Sequence, residues 1–144
     1  MAMREAVFLD FSTSLEYKTG HISGAFWAVR SRLADALPQL PDVGVIICTS
    51  PDGNLARCAA SNLSTILDCT VLFLEGGTEA WEDSGFPISS GFENLTTENN
   101  DIQYKAHDYD ENIEYHMKEY IDWEIGLVDL VEKDGTAQFR YFPE

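Results

Sequence analysis

Residues Val43 to Leu63, VGVIICTSPDGNLARCAASNL, constrain the fold more tightly than any other stretch of the chain. An apolar, β-branched run from Val43 to Cys48 meets a Pro-Asp-Gly loop, and a helical pattern begins at Asn54. Ala56, Ala59, Ala60, Leu63, Ile66 and Leu67 recur at helical spacing beyond it. An apolar run without alternation reads as a strand buried on both faces, which implies a parallel sheet covered by helices. The tight loop between such a strand and a helix gathers backbone N–H groups at the positive end of the helix dipole. It therefore suits an anionic group, a thiolate or a phosphate.

The flanking segments repeat the alternation of strand and helix. Ala6 to Leu9 reads as a short buried strand ending at Asp10, followed by a polar single turn over Ser12 to Lys18 with Ser14 as its candidate cap. Gly20 to Ala25 is a glycine-punctuated turn, and Phe26 to Val29 a second short strand. Ser31 is placed to cap a helix carrying Leu33, Ala36 and Leu37, which Pro38 and Pro41 stop. Thr70 to Leu74 is another strand, Gly76-Gly77 a turn, and Thr78 to Asp83 a short helix ended by Ser84-Gly85. The fold class expected is α/β with a mostly parallel sheet.

Composition narrows the function. A chain of 144 residues, 44% hydrophobic, suits one globular core. A net charge of −16 argues against nucleic acid or an anionic membrane as partner. No apolar run is long enough to span a bilayer, and Met1 to Glu5 lacks the regions of a signal peptide, so a cytoplasmic location is expected. Cys48, Cys58 and Cys69 form no Cys-x-x-Cys pair, which suggests neither a disulfide framework nor a zinc site, and no cofactor is expected. Cys48 sits in an apolar run and reads first as a small buried hydrophobe; Cys58 and Cys69 read as packing residues. Residues 1–88 hold 11 acidic and 5 basic side chains, whereas 89–144 hold 14 and 4. That shift places a boundary near Ser89, between a domain over 1–88 and an extension over 89–144.

Asp10 followed by Glu16-Tyr17 and by Gly20-His21-Ile22-Ser23-Gly24-Ala25 resembles the signature that opens rhodanese domains. Glu75-Gly76-Gly77-Thr78-Glu79-Ala80-Trp81, then Gly85-Phe86-Pro87, resembles the same family's closing motif. The resemblance covers residues 6–88 and implies an α/β domain that transfers sulfane sulfur. In that reaction a cysteine thiolate takes sulfur from a donor such as thiosulfate, and the persulfide hands it to a thiophilic acceptor. A thiolate ringed by N–H groups at a helix N-terminus is stabilised, and so is the persulfide anion. The resemblance assigns Ser50, Pro51, Asp52, Gly53, Asn54 and Leu55 to the active-site loop. It assigns structural roles to Asp10, Gly20, His21, Gly24, Gly76, Gly77 and Trp81.

The departure lies at the nucleophile. With Gly53 and the following helix kept in register, the family's cysteine position falls on Ser50, and Cys48 lies in the strand about 7 Å upstream. A serine hydroxyl cannot form a persulfide. Two readings follow: a degenerate module without turnover, or a sulfurtransferase using Cys48. Ser12 also stands where the family often has an arginine. Phosphatases that share this fold need a closer Cys-to-Arg spacing than Cys48–Arg57 or Ser50–Arg57 provides. Of the remaining residues, His21 is expected to satisfy hydrogen bonds in its turn, Asp10 to accept them at the strand end, and Trp81 to pack. Asp52 either caps the helix or, pointing inward, opposes a thiolate; Arg57 is placed to pair with it or with a solvent-side acid.

The extension reads as a polar linker over Ser89 to Asn100, an aromatic and acidic stretch over Tyr104 to Asp110, and a helix from Glu111 to about Lys133 capped by Asp110. Ile113, Met117, Tyr120, Ile121, Leu127, Val128 and Val131 make its apolar stripe, expected to pack on the domain. His107 and His116 are not spaced as metal ligands on one helix face. Thr136 to Phe142 alternates like an edge strand after the Asp134-Gly135 turn. Together with Trp27 to Leu33, the loop from Ser50 to Gly53, and Tyr120 to Glu124, the extension looks like the final domain of bacterial tandem-rhodanese proteins. That likeness implies other rhodanese domains of a parent chain as partners, with a small sulfur donor or acceptor.

Overall fold

A computed structural model describes residues 5–136. The chain divides into two compact units, Met1–Ile102 and Gln103–Glu144. In the first, four parallel strands lie in the order β3-β1-β4-β5: β1 is Ala6–Asp10, β3 Phe26–Trp27, β4 Val45–Thr49 and β5 Thr70–Phe73. β4 pairs on both sides, Cys48 standing opposite Leu9 on β1 and Phe73 on β5. This central place is why its sequence is apolar without alternation. Helix α3, Asn54–Leu63, packs on it with Ala56, Ala59, Ala60 and Leu63 buried against Leu9, Ile46 and Cys48. Small alanines let the helix backbone approach the sheet, and Leu63 contributes about 2 kcal/mol by its burial. Ile66 and Leu67, counted in the helical pattern, lie past the helix end; Ile66 is exposed.

Two local expectations are corrected. The cap of α1, Ser14–Thr19, is Thr13 and not Ser14. Thr13 stands three residues before Glu16, so the two form a reciprocal capping box: the Glu16 N–H donates to Thr13 Oγ1 and the Thr13 N–H to Glu16 Oε2. The helix expected after Ser31 is a single α-turn, α2, Leu33–Ala36, between 3-10 turns at Arg30–Arg32 and Leu37–Gln39. No side chain caps α2, and Pro38 prevents its extension.

A second, two-stranded antiparallel sheet pairs β2, His21–Ile22, with β6, Ile88–Ser89, which follows helix α4, Gly77–Asp83. The residues after β6, expected as a linker, belong to the first unit. They run along the free edge of β3: the Trp27 N–H donates to Asn94 O (3.1 Å), the Thr96 N–H to Trp27 O (3.0 Å), and Leu95 bridges Trp27 in parallel. At the far end Asp101 accepts the Ser14 N–H (2.9 Å) in the first turn of α1.

The second unit contains α5, Ile113–Asp134. It starts with Asn112 at the N-cap in the left-handed region (φ 58°), without a side-chain cap, and so not with Asp110 in that role. Gly135 ends it at φ 64°. Tyr109 stacks on His116 with ring centroids 3.6 Å apart. Met117, Ile121, Trp123, Ile125 and Val128 on this helix are exposed. The strand expected over Thr136 to Phe142 lies, past Thr136, outside the described residues.

Candidate active site

At the carboxyl end of β4 the chain turns into α3 through four residues, Ser50 to Gly53. The Gly53 N–H donates to Ser50 O (3.2 Å), closing a β-turn over Pro51 and Asp52, and Gly53 takes φ +79° as the N-cap of α3. A second glycine locks the loop from outside. Gly77, at φ +62°, lies so close that an added Cβ would sit 1.9 Å from Ser50 O. Its neighbours Thr78 and Glu79, in the first turn of α4, donate N–H groups to Ser50 O and Pro51 O, both at 3.0 Å. Thr49 Oγ1 and Thr78 Oγ1 add a side-chain tie at 3.1 Å. The Gly76-Gly77 pair is therefore the piece that lets α4 meet the loop backbone to backbone.

Two donors at the head of α3, the Asn54 and Ala56 N–H groups, are already engaged. Ser50 is buried, and its Oγ accepts the Ala56 N–H at 3.1 Å. Asp52 points to solvent and caps the helix: its Oδ1 accepts the Asn54 N–H at 2.9 Å and its Oδ2 the Asn54 side-chain amide at 2.6 Å. Those hydrogen bonds hold the Asp52 carboxyl below its ordinary range. Of its two expected roles it takes the cap. Leu55 is partly exposed on the outer side of the same turn.

Cys48 has no exposure and belongs to the hydrophobic core. Burial pushes its thiol up to about 12, which disfavours the thiolate. Cys69 is partly buried, whereas Cys58, expected to pack, is exposed on the outer face of α3.

Beside the loop lies a cleft lined by Asp10, Ser12, Glu16, Pro51, Thr78, Glu79 and Glu82, in which every ionisable side chain is acidic. Asp10 is buried, its Oδ1 accepts the Ser12 N–H (2.8 Å), and burial raises its pKa. Ser12, which departs from the family's frequent arginine, is buried and gives its carbonyl to Trp27 Nε1 (2.8 Å). Trp81 packs edge-on against Phe8 (5.1 Å) and donates Nε1–H to Pro87 O (3.1 Å). Gly20 ends α1, and Gly24 takes φ +81° in the turn before β3. His21 is fully buried with both ring nitrogens engaged. The partner of its Nε2 is Glu93, a residue that sequence reasoning left in the linker; no local pattern joins the two, because the contact is tertiary.

A family model described as "Rhodanese-like domain" matches residues 1–84. Among solved structures, a thiosulfate sulfurtransferase from Pseudomonas aeruginosa is 33% identical with a TM-score of 0.85, the alignment covering 98% of this chain and 27% of that one. A protein of unknown function from Rhodopseudomonas palustris, described as a possible tyrosine phosphatase, is 27% identical (TM-score 0.52; 58% of this chain, 70% of that one). A rhodanese-related protein from Thermoplasma volcanium shares the fold at 24% identity (TM-score 0.52; 58% and 83%). No curated protein matches the chain. The chain thus spans about a quarter of the length of the Pseudomonas sulfurtransferase.

Proposed function

This chain belongs to the rhodanese-like family, and from that premise we propose that it is a sulfurtransferase-family module that does not itself turn over sulfur. The observation that carries the reading is Ser50. Its buried side chain occupies the head of α3, where its Oγ takes the Ala56 N–H, so the position that carries the cysteine in the family's register holds an oxygen, which cannot form a persulfide. The thiol two residues upstream is enclosed in the core and held protonated by burial. The cleft beside the loop adds to this: Asp10, Glu16, Glu79 and Glu82 would repel an anionic donor such as thiosulfate.

On this reading the module contributes binding or scaffolding to catalytic rhodanese domains of a longer parent chain, of bacterial and cytoplasmic origin. The sulfurtransferase activity for which the Pseudomonas protein is named belongs to a chain nearly four times this length, with room for a catalytic cysteine elsewhere. Intact mass after incubation with thiosulfate tests the proposal, on the chain as it stands and on Cys48→Ala. The expected result is no added sulfur on either. A one-sulfur increment on the unaltered chain that is lost in Cys48→Ala would overturn it and make Cys48 a nucleophile reached through a moving loop.

A further inference from the structure

His21 lies fully buried in β2, with Nδ1 2.7 Å from the carbonyl oxygen of Tyr17 and Nε2 2.8 Å from Glu93 Oε1. A carbonyl oxygen only accepts hydrogen bonds, and an ionised carboxylate only accepts them too. For both contacts to be hydrogen bonds, either the ring carries hydrogen on both nitrogens or Glu93 carries one. In each arrangement the pair holds one proton more than a neutral imidazole beside a carboxylate. Removing that proton sets a ring lone pair against a carboxylate oxygen at hydrogen-bond distance, and the Glu93 side chain, 46% exposed, can then leave the ring for solvent.

The pair stands where the segment after β6 meets the body of the unit. Glu93 also offers its carbonyl to the Tyr17 hydroxyl (2.6 Å), and the Tyr17 ring stacks on His21 at 3.7 Å. Next along the chain come Asn94 and Thr96, bonded to Trp27, and then Asp101 on the N-terminal turn of α1. Helix α1 supplies Leu15, Glu16 and Thr19 to the acidic cleft, so the strap holds one wall of that cleft.

The geometry points to a proton-linked clasp: we infer that His21 and Glu93 tighten the start of the 93–101 strap while they share the extra proton, and loosen it when the proton is lost. The acidic groups around the ring favour the closed state, and a cation nearby opposes it. Asp10, at the end of β1, is electrostatically coupled to both His21 and Glu16. Tyr17 presents its ring face. Lys18, also on α1, lies over the Phe92 ring at 5.8 Å, beside the strap. The Tyr17 carbonyl belongs to the last turn of α1, where a cation is favoured by the helix dipole.

Nitrogen-15 NMR of the histidine rings, assigned through bonds in the 144-residue chain and followed from pH 5.5 to 9, tests the inference, together with amide exchange at Trp27 and Thr96. In the closed state the extra proton is expected on the His21 ring or on Glu93, and it should be absent where the strap loosens. Over the same range the protection factors of Trp27 and Thr96, corrected for intrinsic exchange, should fall by about tenfold or more. In Glu93→Gln the side-chain amide donates to Nε2 of a singly protonated ring, which keeps the tie and should make protection independent of pH. A singly protonated His21 facing an ionised Glu93 across the range would overturn the clasp. So would strap protection with the same pH dependence in Glu93→Gln as in the unaltered chain.

Discussion

Only Thr49 separates Cys48 from Ser50, and the strand ends there. Cys48 still lies in β4 with Leu9 and Phe73 beside it; Ser50 has left the sheet and meets the first turn of α3. Alkylation of the folded chain at mildly alkaline pH should therefore modify Cys58 fastest, Cys69 more slowly and Cys48 only after unfolding, read as mass increments on the three cysteine peptides. The same burial predicts a pH effect on stability. Cys48 ionises near its ordinary value of 9.0 when unfolded but near 12 when folded, so the unfolded chain binds fewer protons between those values. Stability should be flat with respect to this group below pH 9 and fall as pH rises towards 12. Burial raises the Tyr17 phenol as well, which adds loss of the same sign. Urea midpoints measured at intervals above pH 8 check this, and Cys48→Val should reduce the slope. The sequence already held Cys48 as a core residue, because an apolar run on the central strand leaves it no route to solvent. It also held the means to place Cys58 outside: Cys58 is about 200° around the helix from Ala56, off the face that Ala59, Ala60 and Leu63 complete. Its alanine neighbours suggested packing, and the helical period contradicted them.

At the scale of elements, the loop is positioned by α4 as much as by the strand that leads into it. Gly77 allows this contact through both its left-handed backbone and its missing Cβ. Gly77→Ala should cost more than about 3 kcal/mol, since it combines strain at positive φ with a collision against backbone oxygen that no rotamer can relieve. Gly85→Ala is the control. Gly85 has φ +78° but nothing within 4 Å of an added Cβ, so only the backbone term applies and the loss should be about 1 kcal/mol. Thermal melting of the two variants separates close approach from conformational freedom. The order of strands and helices was readable from the alternation of apolar runs with Gly and Pro breaks. What was not readable was which carbonyls the glycine pair would face, because Ser50 and Gly77 are brought together only by the β4–β5 crossover. The boundary of α2 differs for a local reason: its candidate cap, Ser31, lies inside the 3-10 turn Arg30–Arg32, and Arg32 stands at the N-cap without a side-chain bond.

For the whole molecule, the first unit ends at Ile102 and not at the change of composition near Ser89. Residues 89–102 read as a linker because they are polar, and apolar periodicity is the signal a sequence shows most plainly. Their docking is carried mainly by hydrogen bonds, many of them to main-chain atoms, which leave no such pattern. Trp27 exchanges bonds with Asn94 and Thr96, the Tyr17 hydroxyl reaches the Glu93 carbonyl, and Ser14 is tied to Asp101. A chain ended after Ile88 loses all of these at once and also exposes the edge of β3 and the Nε2 side of a buried histidine. At roughly 1 kcal/mol for each bond, and more for a buried group left unpaired, the loss should reach several kcal/mol, a large part of the stability of a domain this size. A chain ended after Ile102 keeps every one of these contacts. Denaturant titration of the two truncations should therefore place the midpoint of the shorter one well below that of the longer. Equal midpoints would mean that the strap lies on the surface without holding it, and that the domain is complete where its motifs end.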